Sequence, residues 1–348
     1  MVNNIYIDNC LIGPRAKTFI IAEVAQNHDG SLGTAHAYID AVAKTGADAI
    51  KFQTHIASEE STLDEPFRVK FSFQDATRYA YWKRMEFTSE QWQGLAGHAK
   101  DAGLVFLSSP FSEKAVRILS SIGMPAWKVG SGEVFNKDII RAMARNKAPI
   151  LLSTGMSTFE EISSAVNIVT DLDLEFALFQ CTSMYPVPLT KVGLNVIEEL
   201  RDRYSCPIGY SDHTGSIYSG LAALAQSVDL LEVHVTLDKR SFGPDVPVSL
   251  TMEQLKQLVD ARDAFKSIQE NPVDKNLMAS ELMGMRGMFS KSVCVRKKLK
   301  KGTVLEESLL TVKKPGNGIK PSETHKLLGC ALVRDVTPDR LLRWEDIE

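Results

Sequence analysis

Two lysines stand inside short apolar runs, in Ala49-Ile50-Lys51-Phe52 and Ala126-Trp127-Lys128-Val129. Burying an ammonium without a partner is expensive, so each must meet an anion. A structural ion pair with Glu23 or Glu133 would satisfy either one. Two such lysines, on the second and fourth of eight similar runs, favour a ligand bearing phosphate or carboxylate. His213 and His234 end the seventh and eighth runs. Neighbouring imidazoles suit a divalent metal that keeps positions open for water and substrate, with Asp212 and Glu23 as outer supports. A hydrogen-bonded core histidine is the ordinary explanation of either one alone. Ser131-Gly132-Glu133 and Ser153-Thr154-Gly155 are small-residue loops whose amides could cradle a phosphate, although Ser-Gly turns are common. His28 reads equally as a turn residue. Cys181, with no base at a suitable spacing, reads as a small core residue.

The runs that carry these residues cover 19–25, 49–55, 105–111, 126–133, 149–156, 176–185, 208–214 and 230–237. Each is brief, rich in Ile, Val, Leu or Phe, and without strict alternation, as expected of strands buried on both faces. Each also ends in polar residues: Glu23; Lys51, Gln53 and His55; Ser108 and Ser109; Lys128, Ser131 and Glu133; Ser153 and Thr154; Gln180, Thr182, Ser183 and Tyr185; Ser211, Asp212 and His213; Glu232 and His234. Amphipathic stretches separate them, with starts at Thr88, Thr158 and Thr251, each followed three residues later by Gln or Glu. Eight strand–helix units in series predict a closed (β/α)8 TIM barrel, whose catalytic groups project from the C-terminal strand ends. An open doubly wound sheet is the rival, but no GxGxxG follows the first strand. An insertion after the second strand, residues 58–84, is aromatic and charged and reads as a lid or helical excursion.

Across the 348 residues the net charge is −3, with 44% hydrophobic and 24% charged residues, a globular composition that excludes wholesale disorder and fibrous classes. The barrel is expected over 1–268 and a linker over 269–291. A compact turn-rich domain is expected over 292–348, with an internal echo between the stretches beginning at Lys301 and Pro338. That tail is strongly basic from Lys291 to Lys320, yet it lacks the interleaved aromatics of a nucleic-acid surface. No apolar run reaches the ~18 residues of a membrane span, and the start lacks the pattern of a signal peptide. Five scattered cysteines, none in CxxC spacing, point to a reducing cytoplasm.

The same residues carry a family likeness. Residues 22–30 (Ala-Glu-Val-Ala-Gln-Asn-His-Asp-Gly), 51–54 (Lys-Phe-Gln-Thr), 109–111 (Ser-Pro-Phe), 128–133 (Lys-Val-Gly-Ser-Gly-Glu) and 153–156 (Ser-Thr-Gly-Met) resemble, in order, the sialic acid (N-acetylneuraminate) synthase family. So do 180–186 (Gln-Cys-Thr-Ser-Met-Tyr-Pro), 209–214 (Gly-Tyr-Ser-Asp-His-Thr) and 243–245 (Gly-Pro-Asp), while 314–319 (Lys-Pro-Gly-Asn-Gly-Ile) resembles its C-terminal antifreeze-like (SAF) domain. The resemblance implies condensation of phosphoenolpyruvate with an N-acetylmannosamine-like amino sugar to a nine-carbon 2-keto acid and phosphate. It implies a divalent metal on His213 and His234, manganese foremost, with magnesium or cobalt as alternatives. Glu23, Glu133, Lys51 and Lys128 become catalytic groups, with Glu133 the foremost acid/base. Gln53, Ser109, Phe111, Ser131, Ser153, Ser183, Tyr185, Ser211, Asp245 and Lys314 become substrate-binding groups. A cytoplasmic, domain-swapped homodimer is implied as well. Three positions depart from the family pattern: Val233, where arginine is common between Glu and His; Lys314, where arginine commonly precedes Pro-Gly-Asn-Gly; and Ser183, often asparagine. Lysine cannot reproduce arginine's planar fork, so a 2,4-diacetamido hexose leading to legionaminate- or pseudaminate-type products stands as an alternative. A phosphoenolpyruvate synthase acting on a sugar phosphate is a further one.

Overall fold

The computed structural model describes residues 3–348, which form two compact units, one ending at Glu270 and one beginning at Asn271. The first opens with a hairpin, β1 (Ile5–Ile7) and β2 (Cys10–Ile12), and continues with eight strands. These are β3 (Phe19–Ala25), β4 (Ala49–Thr54), β5 (Val105–Pro110), β6 (Trp127–Val129), β7 (Ile150–Ser153), β8 (Phe176–Cys181), β9 (Ile208–Asp212) and β10 (Leu230–His234). All eight are parallel in the order β5-β4-β3-β10-β9-β8-β7-β6. This is the expected TIM barrel, with strand starts within one residue of those read from the sequence.

The strands alternate about their own axes, so residues two apart share a face. On the inner face the lower positions are apolar: Phe19, Ile21, Ala49, Leu107, Ala126, Leu151, Ala177, Phe179 and Leu230 form one buried cluster with Ile5, Ile7 and Ile12 of the hairpin. The hairpin thus closes the N-terminal end of the barrel. Continuing upward in steps of two gives Glu23, Lys51, Ser109, Lys128, Ser153, Cys181, Ser211 and Glu232, so the polar layer is the next storey of the same faces. The outer faces pack on the helices in a second, larger cluster. Thr88 with Gln91 and Thr158 with Glu161 form full capping boxes, and Thr251 and Gln254 exchange the same pair of hydrogen bonds.

The insertion holds two helices, Ala57–Glu60 and Arg78–Met85, around a small cluster of Ala57, Tyr81, Trp82 and Met85. It is fastened to the loop after β3 by Arg84, which donates to the Asp29 carbonyl and carboxylate and to Asp75.

The second unit departs from expectation at its start. The stretch read as a linker, 269–291, carries the end of the last barrel helix and two short helices, Lys275–Glu281 and Met283–Phe289. Beyond it, β11 (Ser292–Val295) pairs antiparallel with β12 (Leu310–Lys313) over a core that includes Val293, Val295, Leu305, Leu327, Leu332 and Leu342. The internal echo is structural: 3-10 turns begin at Glu307 and at Trp344. The loop at Lys314 is pinned by the Ser292 hydroxyl, which donates to the Pro315 carbonyl and accepts from the Gly318 amide.

Candidate active site

The polar storey encloses a small chamber of about 60 Å³, lined by Glu23, Lys51, Lys128, Ser109, Ser153 and Glu232 among others. Lys51 is ion-paired with Glu23, lies 3.7 Å from Glu232, and donates to Ser109 Oγ at 3.3 Å. Lys128 lies 3.7 Å from the same Glu232 and donates to Ser153 Oγ. Ser211 Oγ donates to Glu232 at 3.1 Å. One carboxylate therefore sits between two buried ammoniums, and each ammonium also carries a serine.

Glu133, expected as a partner for a lysine, is not one. It is half-buried at the rim and accepts from Asn136 Nδ2 at 2.8 Å. Glu232 takes its place. The sequence signal for Glu232 was its position two residues before His234, which puts both on the inner face of β10.

Burial pushes the Glu23 carboxyl up to about 7, with Lys51 only partly holding it back. Burial also disfavours charge at Glu232, but Lys128 and Lys51 outweigh it and hold that carboxyl below the usual range. Burial works against the Lys51 charge too, yet Glu23 and Glu232 keep it above its ordinary value, whereas at Lys128 burial wins and lowers it.

Above this chamber lies a larger one of about 460 Å³. Gln53, Phe111, Gly130, Ser131, Tyr185 and His234 line both, and form the passage between them. Ser183, Glu133 and Asp245 line only the upper one. Ser131 Oγ accepts from the Gly155 amide at 3.1 Å, so the two Ser-Gly loops are in contact. The upper walls also hold His55, read from the sequence as a strand-end polar residue without a role, and Arg68, which the sequence did not mark. His55 lies flat between Trp82 and Phe111, 3.9 and 4.2 Å between ring centres, and bonds to Glu60 at 2.5 Å and Gln53 Oε1 at 3.2 Å. Arg68 reaches in from the insertion. No periodic pattern marked it, because its position depends on how the insertion folds back.

The His213 and His234 rings are 5.3 Å apart. His213 Nδ1 donates to the Thr182 carbonyl, which leaves Nε2 with the free lone pair; Tyr185 donates to that nitrogen at 3.2 Å. Burial holds both imidazoles down to about 3, so they are neutral at ordinary pH. His234 Nδ1 is buried without a hydrogen-bond partner. Two neutral imidazoles, one with an unpartnered nitrogen and one whose lone pair meets only the Tyr185 hydroxyl, fit a divalent metal, although no cluster of three or more His, Cys, Asp or Glu forms a fuller ligand set among the described residues. Asp212 does not support them: it accepts from Tyr210, Thr214 and Ser219 on the opposite side of β9. His28 is a buried loop residue whose Nδ1 accepts from Gly30. In the second unit, Lys314 Nζ stands 5.0 Å over the Phe289 ring.

A TIM barrel whose polar side chains are gathered at the C-terminal strand ends, followed by a small SAF-type β unit, defines the class of this protein. The NeuB family model matches residues 38–273 and the SAF domain model residues 290–348; the chain belongs to the NeuB family. It is 33% identical to N,N'-diacetyllegionaminic acid synthase of Campylobacter jejuni, over 94% of this chain and 99% of that protein. It is also 33% identical to human N-acetylneuraminate-9-phosphate synthase, over 97% and 94% of the two chains. Among solved structures, N-acetylneuraminic acid synthetase of Leptospira borgpetersenii, in complex with citrate, superposes with a TM-score of 0.72 at 29% identity, covering 82% of this chain and 97% of that one. All five cysteines are free, and no helix among the described residues is long and apolar enough to cross a membrane.

Proposed function

We propose that this chain is a transferase that condenses phosphoenolpyruvate with the open-chain aldehyde of an N-acetylmannosamine-like amino sugar, yielding a nine-carbon 2-keto acid and phosphate. One observation carries the reading: a deep chamber with two serine-flanked lysines opens directly into a larger chamber beside two neutral imidazoles. The relatives named N,N'-diacetyllegionaminic acid synthase and N-acetylneuraminate-9-phosphate synthase support it.

In this reading Lys51 and Lys128, with Ser131 and Ser153, bind the phosphate and carboxylate of phosphoenolpyruvate, and Ser109 and Ser211 hold the lysines and Glu232 in register. Gln53, Phe111, Ser183, Tyr185 and Asp245 seat the sugar above. His213 and His234 hold a divalent metal, manganese foremost, which when bound supplies Lewis-acid polarisation of the aldehyde oxygen. Carbon 3 of the enol forms a bond to the aldehyde carbon, and the aldehyde oxygen takes up a proton. Water adds to the cation left at carbon 2 and gives up its proton, with Glu133 at the rim and Glu23 below as the available carboxyls. The resulting tetrahedral carbon expels phosphate by breaking its C–O bond.

A second reading, a 2,4-diacetamido hexose as acceptor, is favoured by the substitution of Lys314 for arginine and by the legionaminic acid synthase relative. A single assay decides: phosphate release from phosphoenolpyruvate with a panel of 2-acetamido and 2,4-diacetamido hexoses. Release that depends on an unphosphorylated amino sugar and yields a nine-carbon acid supports the proposal. Release only with a sugar phosphate, or with no sugar, overturns it. We also propose a homodimer in which the Lys314 loop of one protomer completes its partner's site.

A further inference from the structure

The insertion delivers to the upper chamber a guanidinium that neither strands nor strand-end loops supply. Arg68 Nη2 donates to Asp245 Oδ1 at 3.2 Å, and its Cζ stands 4.2 Å from the centre of the Tyr185 ring. Stacked on one face and tethered at one nitrogen, the group is fixed in place. Yet its side chain is still 40% exposed, and its other N–H groups have no hydrogen-bond partner among the described residues. A guanidinium has five N–H donors in a rigid fork.

The other charged side chains of that chamber are mostly acceptors. Glu60, Glu65, Glu133 and Asp245 line it, and its other guanidinium, Arg78, is bonded to Glu65 at 2.8 Å and stacked over Trp82. Sugar hydroxyls can donate to these carboxylates. An amide carbonyl cannot; it needs a donor. Gln53, Ser183 and Arg78 line the chamber as well, but Arg68 is the charged fork stacked on Tyr185, at the passage to the lysine chamber. A phosphorylated or carboxylated substituent is disfavoured by four carboxylates set against two guanidiniums. Val69 and Phe71, neighbours of Arg68 on the insertion, line the same chamber and offer apolar surface to an acetyl methyl.

We propose that Arg68 is a specificity-determining residue that reads the carbonyl of the amino sugar's acetamido group. This rests on the reading of the chain as an amino-sugar synthase. The test compares the parent, Arg68→Lys and Arg68→Ala, using a 2-acetamido sugar and its 2-hydroxy counterpart at saturating phosphoenolpyruvate. The ratio of kcat/KM for the two sugars, or of their competition constants if the hydroxy sugar is not turned over, should fall at least tenfold in Arg68→Ala. It should fall at least threefold in Arg68→Lys, which keeps the charge and loses the fork. The loss should sit in KM for the sugar, with KM for phosphoenolpyruvate unmoved. Thermal melting and tryptophan fluorescence report whether each variant is folded, and Arg68→Lys carries the test if Arg68→Ala is not. An unchanged ratio in a folded variant overturns the inference, as does loss of a preference for a phosphorylated sugar. A parent enzyme that releases no phosphate with any amino sugar instead overturns the reading beneath it.

Discussion

Glu232 lies 3.7 Å from each of two buried ammoniums. It neutralises part of both at once, while Glu23 meets only Lys51. Removing one member of a buried ionic group leaves uncompensated charge, which typically costs about 3–5 kcal/mol. Glu232→Gln should therefore lower stability by roughly that amount and depress Tm sharply, even though the side chains are nearly the same size. A fall of under about 1 kcal/mol in denaturant unfolding would mean that Lys128 is already neutral in the folded protein. Glu23 behaves differently with pH. Its folded carboxyl is raised to about 7 from an ordinary 4.5, so folding favours its protonated form, and ionisation between those values removes stability as pH rises. Glu23→Gln has no such ionisation. Its stability relative to the parent should improve between pH 5 and pH 8 by on the order of 2 kcal/mol. Melting curves at the two pH values check the sign; a difference that stays flat shows that Glu23 is ionised throughout.

At the scale of elements, the eight strands were legible because burial on both faces forces continuous apolar runs, and because polar residues at their ends violate that rule together. The hairpin was less visible. Its strands are three residues long, yet Ile5-Tyr6-Ile7 and Cys10-Leu11-Ile12 flank a two-residue Asp8-Asn9 turn in which Asp8 has φ 52°. That is a signal of the kind that marks hairpins. The ion-pair partner of Lys128 was not legible in strand order alone, since it depends on which inner-face side chains converge across the barrel. Arg68 was hidden for a similar reason. Packing within the strands also sets a firm constraint at Gly209, where a Cβ would lie 2.7 Å from the Phe179 ring. Gly209→Ala should destabilise the barrel by about 1–3 kcal/mol through overpacking, measurable by chemical denaturation. Phe179→Leu in the same background should restore part of the loss, and the absence of any rescue would place the cost in the strand backbone instead.

For the whole molecule, the two units have separate cores, so damage to one need not unfold the other. The proposed homodimer turns this into an experiment. His234→Ala protein, with a disabled barrel, and Lys314→Ala protein, with a disabled tail loop, should each be nearly inactive. Unfolded and refolded together, they should recover up to about a quarter of the parent activity, because about half the dimers are mixed and each mixed dimer pairs one intact barrel with one intact loop. If mixing recovers nothing while both proteins are dimeric by light scattering, each tail serves its own barrel or none.

The hairpin that closes the N-terminal end of the barrel also has a kinetic consequence. With that end filled by Ile5, Ile7 and Ile12, the lysine chamber opens, among the described residues, upward into the larger chamber where the proposed sugar would sit. Traffic must then be last in, first out. In the proposed reaction, phosphoenolpyruvate has to enter before the sugar, and the phosphate formed beneath must wait until the nine-carbon acid has left. Inorganic phosphate should accordingly compete with phosphoenolpyruvate but not with the sugar.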